Sequence, residues 1–347
     1  MNLKDRIEAF SELGGILRKT VDRIKGECND VLNHIIDNQY TINPWFTPEN
    51  VRMAVKAIAD ELTYDNLVSW TGRYPELENT FPSATVGVVM AGNIPLVGFH
   101  DFLCVLMAGQ RILVKTSSKD PELIVCLSDI LKDINGEFGS MISFAGGIIS
   151  GFDAFIATGS NNSSRYFEYY FGRYPGIIRK NRNSVAIVDD TISENEAVAL
   201  GKDIFSYFGL GCRNVSKIYI PEGFDLNRLH SRWNEFAGII KHPKYANNYD
   251  FHKAVLLINK KKFIDTGYLI MQESPGLSTP VAVLNYEYYR SPDKVKKILK
   301  DQSERIQCIT GTGAIPFGMA QRPALWDYAD GTDTLEFILK KISPGIL

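Results

Sequence analysis

An excess of charge of either sign is the first thing missing: 38 Lys and Arg stand against 40 Asp and Glu, a formal net charge of −2 at pH 7. Such a balance leaves no global electrostatic footprint for nucleic acid or for an anionic membrane surface, so a polyanion has to be met by a local cluster. Long hydrophobic runs are missing too. The longest, Ala84 to Phe99, is broken by Asn93 and Pro95 and closes on His100-Asp101, too short and too polar for a membrane span. The N-terminus, Met1-Asn2-Leu3-Lys4-Asp5-Arg6-Ile7-Glu8, opens an amphipathic pattern instead of a basic stretch followed by an apolar one. No signal peptide is expected and a cytoplasmic location is the default. Cysteine is scarce: Cys28, Cys104, Cys126, Cys212 and Cys308 are widely spaced, with no CxxC or Cys/His grouping. Neither a disulfide framework nor a metal site is expected from them. Internal repeats, low-complexity segments and the GxGxxG dinucleotide fingerprint are also absent.

What remains is an ordinary globular composition, 45% apolar and 22% charged. At about 150 residues per domain, 347 residues suggest two domains. Residues 1 to about 75 read as a helical preface. Ile7, Phe10, Leu13, Leu17, Val21 and Ile24 recur at helical spacing, and Thr47-Pro48-Glu49 supplies an N-cap and N1 proline for a helix facing inward with Val51, Val55, Ile58 and Leu62. From about 83, short apolar runs alternate with amphipathic ones. Strands are expected at Thr85 to Ala91, Arg111 to Lys115, Ile142 to Ala145, Asp153 to Ala157 and Ser184 to Val188, with helices near 95–109, 121–134, 162–172 and 193–208. Helices of this length between strands argue for parallel βαβ units, which place ligands at the carboxyl ends of their strands. Beyond Gly211, strands at Lys217 to Ile220, Ala254 to Ile258, Val281 to Leu284 and Gln307 to Thr310, with helices near 224–238 and 292–304, indicate a second α/β unit. The divisions expected are 1–210, 211–315 and a C-terminal segment 316–347 returning to the first domain.

Three strand ends of the first unit carry polar groups. Asn93 follows a strand and precedes Pro95. Lys115 closes a strand and is followed by Thr116, Ser117 and Ser118. Thr158-Gly159-Ser160 closes a third, where backbone N–H groups at the next helix start would receive a phosphate. Each alone is ordinary turn composition; their order gives them weight. In the second unit, Cys212 follows glycine in Gly209-Leu210-Gly211-Cys212-Arg213 and precedes a strand. Its Gly-rich, polar surroundings and the adjacent Arg213 favour a nucleophilic thiolate. Cys28, Cys104, Cys126 and Cys308 lie in apolar runs and read as small buried hydrophobes. The five histidines form no sequence cluster with Cys212, although His230 and His252 stay open as acid or base helpers. Lys260-Lys261-Lys262 and the lysines of 294–300 read as solvated faces.

Taken in order, these segments resemble the aldehyde dehydrogenase superfamily, and within it the acyl-CoA reductases related to the fatty-acid reductase of bacterial bioluminescence (LuxC-like). Asn93-Ile94-Pro95 matches the family's Asn-x-Pro turn, Ala108 to Thr116 its Ala-Gly-Asn-x-Val-x-x-Lys-Pro stretch, Thr158-Gly159-Ser160 its cofactor turn, and Gly209 to Ile220 its nucleophile segment, with Lys217 as the basic residue five after the cysteine. The stretch Phe317 to Gly331 resembles the end of shorter reductases of the group. The resemblance implies an α/β, aldehyde dehydrogenase-like fold: two doubly wound α/β domains, one cofactor-binding and one catalytic, with an N-terminal helical segment. It assigns Cys212 as nucleophile, Asn93 as donor to the oxyanion, and Lys115, Ser117, Ser118, Thr158, Gly159 and Ser160 to the cofactor.

Departures refine the expectation. Where hydrolytic relatives carry Glu-Leu-Gly-Gly, supplying the base that activates water, this chain has Arg179-Lys180-Asn181-Arg182-Asn183. A thioester destined for reduction has no use for that base. Where NAD-preferring relatives carry a glutamate, Ser118 stands between Lys115 and Lys119, which suits NADPH better than NADH. The family's Glu-x-Phe-Gly-Pro-Val aligns with Gly276 to Val281, without its Glu. The reading that follows is NADPH-dependent reduction of a fatty acyl-CoA or acyl-carrier thioester to the aldehyde through a Cys212 thioester, by a homo-oligomer served by an acyl-transferring partner protein. Two alternatives stay open: a CoA-acylating aldehyde dehydrogenase running toward acyl-CoA, which would use the same residues, and a carrier-dependent subunit of a biosynthetic complex, in which a partner holds the acyl chain and this chain acts largely as a docking module.

Overall fold

The computed structural model describes residues 1–24, 26, 29–79 and 83–342, and the chain divides into two compact units, residues 1–181 with the segment from Ala324 onward, and residues 182–323. Cys28 lies outside the described residues.

The first unit opens with four helices, α1 (Leu3–Val21), α2 (Asp30–Asn38), α3 (Pro48–Glu61) and α4 (Tyr64–Thr71). Local chemistry sets their starts. Asn2 and Asp5 form a reciprocal capping box on α1, and Thr47 caps α3 just ahead of Pro48. Five parallel strands follow, β1 (Thr85–Val89), β2 (Arg111–Lys115), β3 (Ile142–Phe144), β4 (Ala154–Thr158) and β5 (Gly176–Arg179), in the order β3-β2-β1-β4-β5. The crossovers are α5 (Phe99–Met107), α6 (Leu123–Ile134), the short α7 (Phe138–Met141) and α8 (Asn161–Phe171). One buried cluster joins the helical preface to this sheet through Phe10, Leu13, Leu17, Val55 and Trp70 on one side and Val86, Val88, Leu103, Ile112 and Val114 on the other. Chain order runs from β1 outward to β2 and β3, then jumps back to β4 on the other side of β1. The topological switch point of this open sheet therefore lies between β1 and β4, where such sheets open a crevice at their carboxyl ends.

The second unit holds β6 (Asn183–Ile187), β7 (Val215–Pro221), β8 (Ile264–Asp265), β9 (Ile270–Glu273), β10 (Val283–Tyr289) and β11 (Ile306–Gly311), ordered β11-β6-β7-β10-β9-β8; only the edge pair β8–β9 is antiparallel. Its helices are α9 (Glu194–Phe205), α10 (Asn227–His230), α11 (Pro243–Ile258) and α12 (Pro292–Asp301). The last helix, α13 (Thr334–Lys341), belongs to the first unit. There Trp70 Nε1 donates to the Tyr328 hydroxyl (2.8 Å), which pairs with the Tyr74 hydroxyl (2.7 Å), and Tyr74 donates to Asp333 (2.6 Å).

Several expectations are corrected. The units part at Asn181/Arg182 and not at 210, because β6 hydrogen-bonds to β7 and β11 and α9 packs with the second sheet. The C-terminal return starts at Ala324 and not at 316, since Gly318 and Ala320 remain tied to α9. Ala254 to Ile258 is the last stretch of α11, not a strand: His242 and Pro243 start a helix that runs through the apolar residues. The helix expected from 95 begins at Phe99, because Leu96 sits at φ +56 and breaks the turn.

Candidate active site

In the first unit the carboxyl ends of β2, β1 and β4 lie side by side, with Val89 in register with both Lys115 and Ala157. The seven residues that the sequence assigns to this unit's site sit at or just beyond these ends. Gly92 explains how two of the turns come together. A Cβ on it would stand 2.5 Å from Ser117 Oγ, 2.8 Å from Ser117 Cβ and 3.0 Å from Lys119 Cβ, so only glycine lets the Asn93 turn lie against the Ser117–Lys119 turn. Asp120 adds a polar tie: its buried carboxylate accepts the Leu96 N–H at 2.8 Å, and burial pushes its pKa up to about 6. Asn93, Ser118 and Lys119 are exposed, while Lys115 and Ser117 are half-buried.

Across the switch point, Ser160 caps α8, its Oγ accepting the Ser163 N–H at 3.2 Å. That hydroxyl is thereby occupied as a cap, leaving a phosphate to the backbone donors of the helix start. A Cβ on Gly159 would fall 2.8 Å from Ser163 Cβ and 2.9 Å from Phe167 Cε2, so the turn closes tightly on α8. A glycine-lined cradle, helix-end donors and the cations Lys115 and Lys119, with no carboxylate in 115–119, fit a dinucleotide phosphate chain.

Cys212 belongs to the second unit and lies at the amino ends of its strands, just ahead of β7, in contrast to the carboxyl-end placement expected for ligands of parallel sheets. The thiol-bearing residue is half-buried. Its carbonyl accepts Ser184 Oγ at 2.9 Å, and the same hydroxyl receives the Cys308 N–H at 3.2 Å. The stretch before it is unusual: Tyr207 (φ 51), Phe208 (φ 59) and Gly209 (φ 76) are consecutively left-handed. Two bulky residues in that region store strain that the surroundings must hold in place. Burial of Tyr207, the Phe208 ring 4.4 Å from that of His242, and the side chain of Asn214 supply the hold.

Arg213, expected to favour the thiolate, donates to the Ala320 carbonyl at 3.3 Å. Lys217 is wholly buried and paired with Glu287 at 2.5 Å, over the ring of Tyr219; it holds β7 to β10. Arg179 is equally committed, to Asp101 (2.7 Å), Thr334 (2.7 Å) and the Ala329 carbonyl (2.6 Å). Glu273 is exposed at the end of β9. Cys104, Cys126 and Cys308 are buried; burial raises the thiol pKa of Cys104, and that of Cys126 to about 11. Sequence reasoning missed His242, Ser184 and Asn214. Only the placement of Asn214 two residues after Cys212 was a signal.

Two parallel α/β units, a switch-point crevice in one and a cysteine turn before a central strand of the other, define an aldehyde dehydrogenase-like protein. Solved structures agree on the fold: an oxidoreductase from Marinobacter aquaeolei (TM-score 0.66, 11% identity, 89% of this chain and 73% of that one) and aldehyde dehydrogenase 21 from Physcomitrella patens (TM-score 0.62, 15% identity, 90% and 74%). Within that class the chain matches the family described as acyl-CoA reductase (LuxC) over residues 18–230, and it belongs to that family. Similar curated proteins are the long-chain acyl-protein thioester reductase of Aliivibrio fischeri, 24% identical over 235 residues (61% of this chain, 48% of the relative), and long-chain acyl-protein thioester reductase 2 of Photobacterium leiognathi, 23% identical over 202 residues (53% and 42%). The chain spans about half the length of these relatives. Among the described residues no helix is long and apolar enough to cross a membrane.

Proposed function

We propose that this protein reduces a long-chain acyl thioester to the aldehyde with NADPH, by way of a thioester on Cys212. The observation that carries the reading is the combination of a fixed, half-buried cysteine turn ahead of β7 with a 179–183 segment that has no carboxylate and whose arginines are held elsewhere. No group in that segment activates water, so the acyl-enzyme is kept for reduction.

The Cys212 thiolate attacks the thioester carbonyl, forming a C–S bond and an oxyanion that accepts from the Cys212 N–H. One such donor contributes about 2.7–4 kcal/mol to the transition state. Collapse of the adduct breaks the original C–S bond and expels the carrier thiolate. Lys115, Ser117, Ser118, Thr158, Gly159 and Ser160 would hold the dinucleotide, the lysines and Ser118 favouring a 2′-phosphate over a bare ribose. Bound reduced nicotinamide supplies the hydride for the second step. The aldehyde leaves as the C–S bond to Cys212 breaks and the thiolate is restored.

The names of the curated relatives favour one second arm, a protein-bound acyl group in place of acyl-CoA. The test is NADPH consumption with short- to long-chain acyl-CoAs and with an acylated carrier protein, on the native protein and on Cys212→Ala. Aldehyde formed by the native protein and a loss on the order of 10⁴-fold or more in the variant is the expected result. A native protein inert on both substrate classes with NADPH and NADH refutes the reading.

A further inference from the structure

Asn214 is almost wholly buried, at 3% exposure, and every part of its amide is engaged. Oδ1 accepts the Gly211 N–H at 2.8 Å. Nδ2 donates to Ser206 O (2.8 Å), Asp203 O (3.1 Å) and Ile204 O (3.4 Å), carbonyls at the end of α9. Its own N–H returns to Gly211 O at 3.0 Å. One side chain thus closes the C-terminus of a helix and pins the residue just before the nucleophile.

The same turn is gripped from another direction. Asp203, fully buried, accepts the N–H groups of Gly318 (2.7 Å) and Ala320 (3.0 Å), and Ala320 O receives Arg213. A closed circuit of hydrogen bonds and backbone, from Asp203 through the 318–320 turn to Arg213, then along the chain to Asn214 and back to the Asp203 carbonyl, has Cys212 on its rim. Such a circuit has an electrostatic reason. The carbonyl end of a helix carries about half a negative charge and disfavours a thiolate nearby; the Asn214 amide covers those carbonyls. It also opposes the relaxation of Tyr207 and Phe208 out of their left-handed conformation.

We infer that Asn214 is the positioning residue of the nucleophile: it holds the 207–213 turn in the single conformation from which Cys212 reacts. The inference rests on the acyl-transfer reading of Cys212 but makes a separate demand. Asn214 is buried and its amide is spent on backbone groups of the turn and of α9, so its loss lowers kcat and spares KM. A displacement of about 1 Å in a reacting group costs about 10²-fold.

The experiment compares Asn214→Ala and the isosteric Asn214→Asp, which keeps the acceptor for Gly211 and loses the donors, with Leu200→Ala, a buried substitution in α9 that leaves the turn alone. Steady-state kinetics and hydrogen exchange of the 206–214 peptide are measured on each. The expected result is a fall of about 10²-fold in kcat for Asn214→Ala with KM within about threefold, a smaller fall for Asn214→Asp, faster exchange confined to the turn in both, and native kcat in Leu200→Ala. An active native protein whose Asn214→Ala variant keeps kcat within about twofold overturns the inference and leaves the acyl-transfer reading standing. So does a Leu200→Ala variant that loses as much. A native protein inert on acyl thioesters overturns the reading and, with it, the inference that rests on it.

Discussion

Substitution of Gly92 by alanine tests whether the Asn93 and Ser117 turns form one surface. Apolar heavy atoms rest about 3.5–4 Å apart, and the new methyl would stand at 2.5, 2.8 and 3.0 Å from Ser117 Oγ, Ser117 Cβ and Lys119 Cβ. Both neighbours sit on the turn after β2, whose position is fixed by Asp120 accepting the Leu96 N–H, so the clash is relieved only by moving one turn roughly 1 Å from the other. Overpacking of this kind costs about 1–3 kcal/mol. At about 2–4 °C per kcal/mol for a unit of this size, the melting temperature falls by about 2–12 °C. If the two turns jointly hold the nucleotide, the same strain must be overcome on binding, and NADPH affinity drops about 5- to 150-fold. Thermal melts and NADPH fluorescence titrations read the two effects, with Gly15→Ala as control: a Cβ there meets nothing within 4 Å, and the change stabilises α1 by about 0.5–1 kcal/mol. Native melting in Gly92→Ala refutes the contact. A lowered melting temperature with native affinity keeps the contact and refutes the nucleotide assignment.

Asp101→Asn leaves Arg179 buried at 4% exposure without its carboxylate, a loss of about 3–5 kcal/mol; an unfolding free energy from urea titration that falls by less than about 1 kcal/mol refutes the assignment of this pair as the anchor of the C-terminal segment. The melting temperature should also peak on the acid side of neutrality. Asp120 and Asp203 are raised by burial to about 6, above their unfolded value of 3.8; the native state therefore binds more protons than the unfolded chain between those values, and stability falls as pH rises from about 4 to 6. Asp189 and Glu196 are lowered by hydrogen bonds, and Asp265 by bonds that outweigh its burial; their contribution is lost on acidification below their unfolded pKa values. Melts from pH 4 to 8 should show the melting temperature falling between about pH 4 and 6, less steeply in Asp203→Asn; a steady rise to pH 7 contradicts it.

The first sheet was legible because its strands are short runs of apolar residues with both faces covered, and its turns carry polar residues at each carboxyl end. Arg111 to Lys115 is a strand with the bounds expected. The second unit was less so. Ala254 to Ile258 is apolar yet mostly exposed, so its composition gives no periodicity with which to separate helix from strand. The unit boundary was hidden because β6 follows β5 after only three residues, with no linker composition, and differs from it only in which strands it pairs with. The Asn93, Lys115 and Thr158 turns could be read as candidates, but Gly92 could not: its necessity comes from Ser117, a residue 25 positions away.

Cys212 and the turns proposed to hold the nucleotide obey opposite rules of the same fold. At the carboxyl ends of β1, β2 and β4 the chain enters helices, and helix starts offer unsatisfied N–H groups to an anion; a phosphate needs little more than glycine to approach them. At the amino end of β7 the chain arrives from the end of α9, where the unsatisfied groups are carbonyls. An anionic sulfur there gains nothing from the helix, unlike cysteines at helix starts. The turn must therefore supply by rigid geometry what the helix does not. On that reading the cysteine is flanked by two strained residues, a buried asparagine and a buried aspartate, while the proposed phosphate turns are built from serines open to solvent or half-buried and from close-packed glycines. A substitution that loosens the 207–214 turn should cost turnover far more than it costs stability, and one at Gly92 or Gly159 should cost both together.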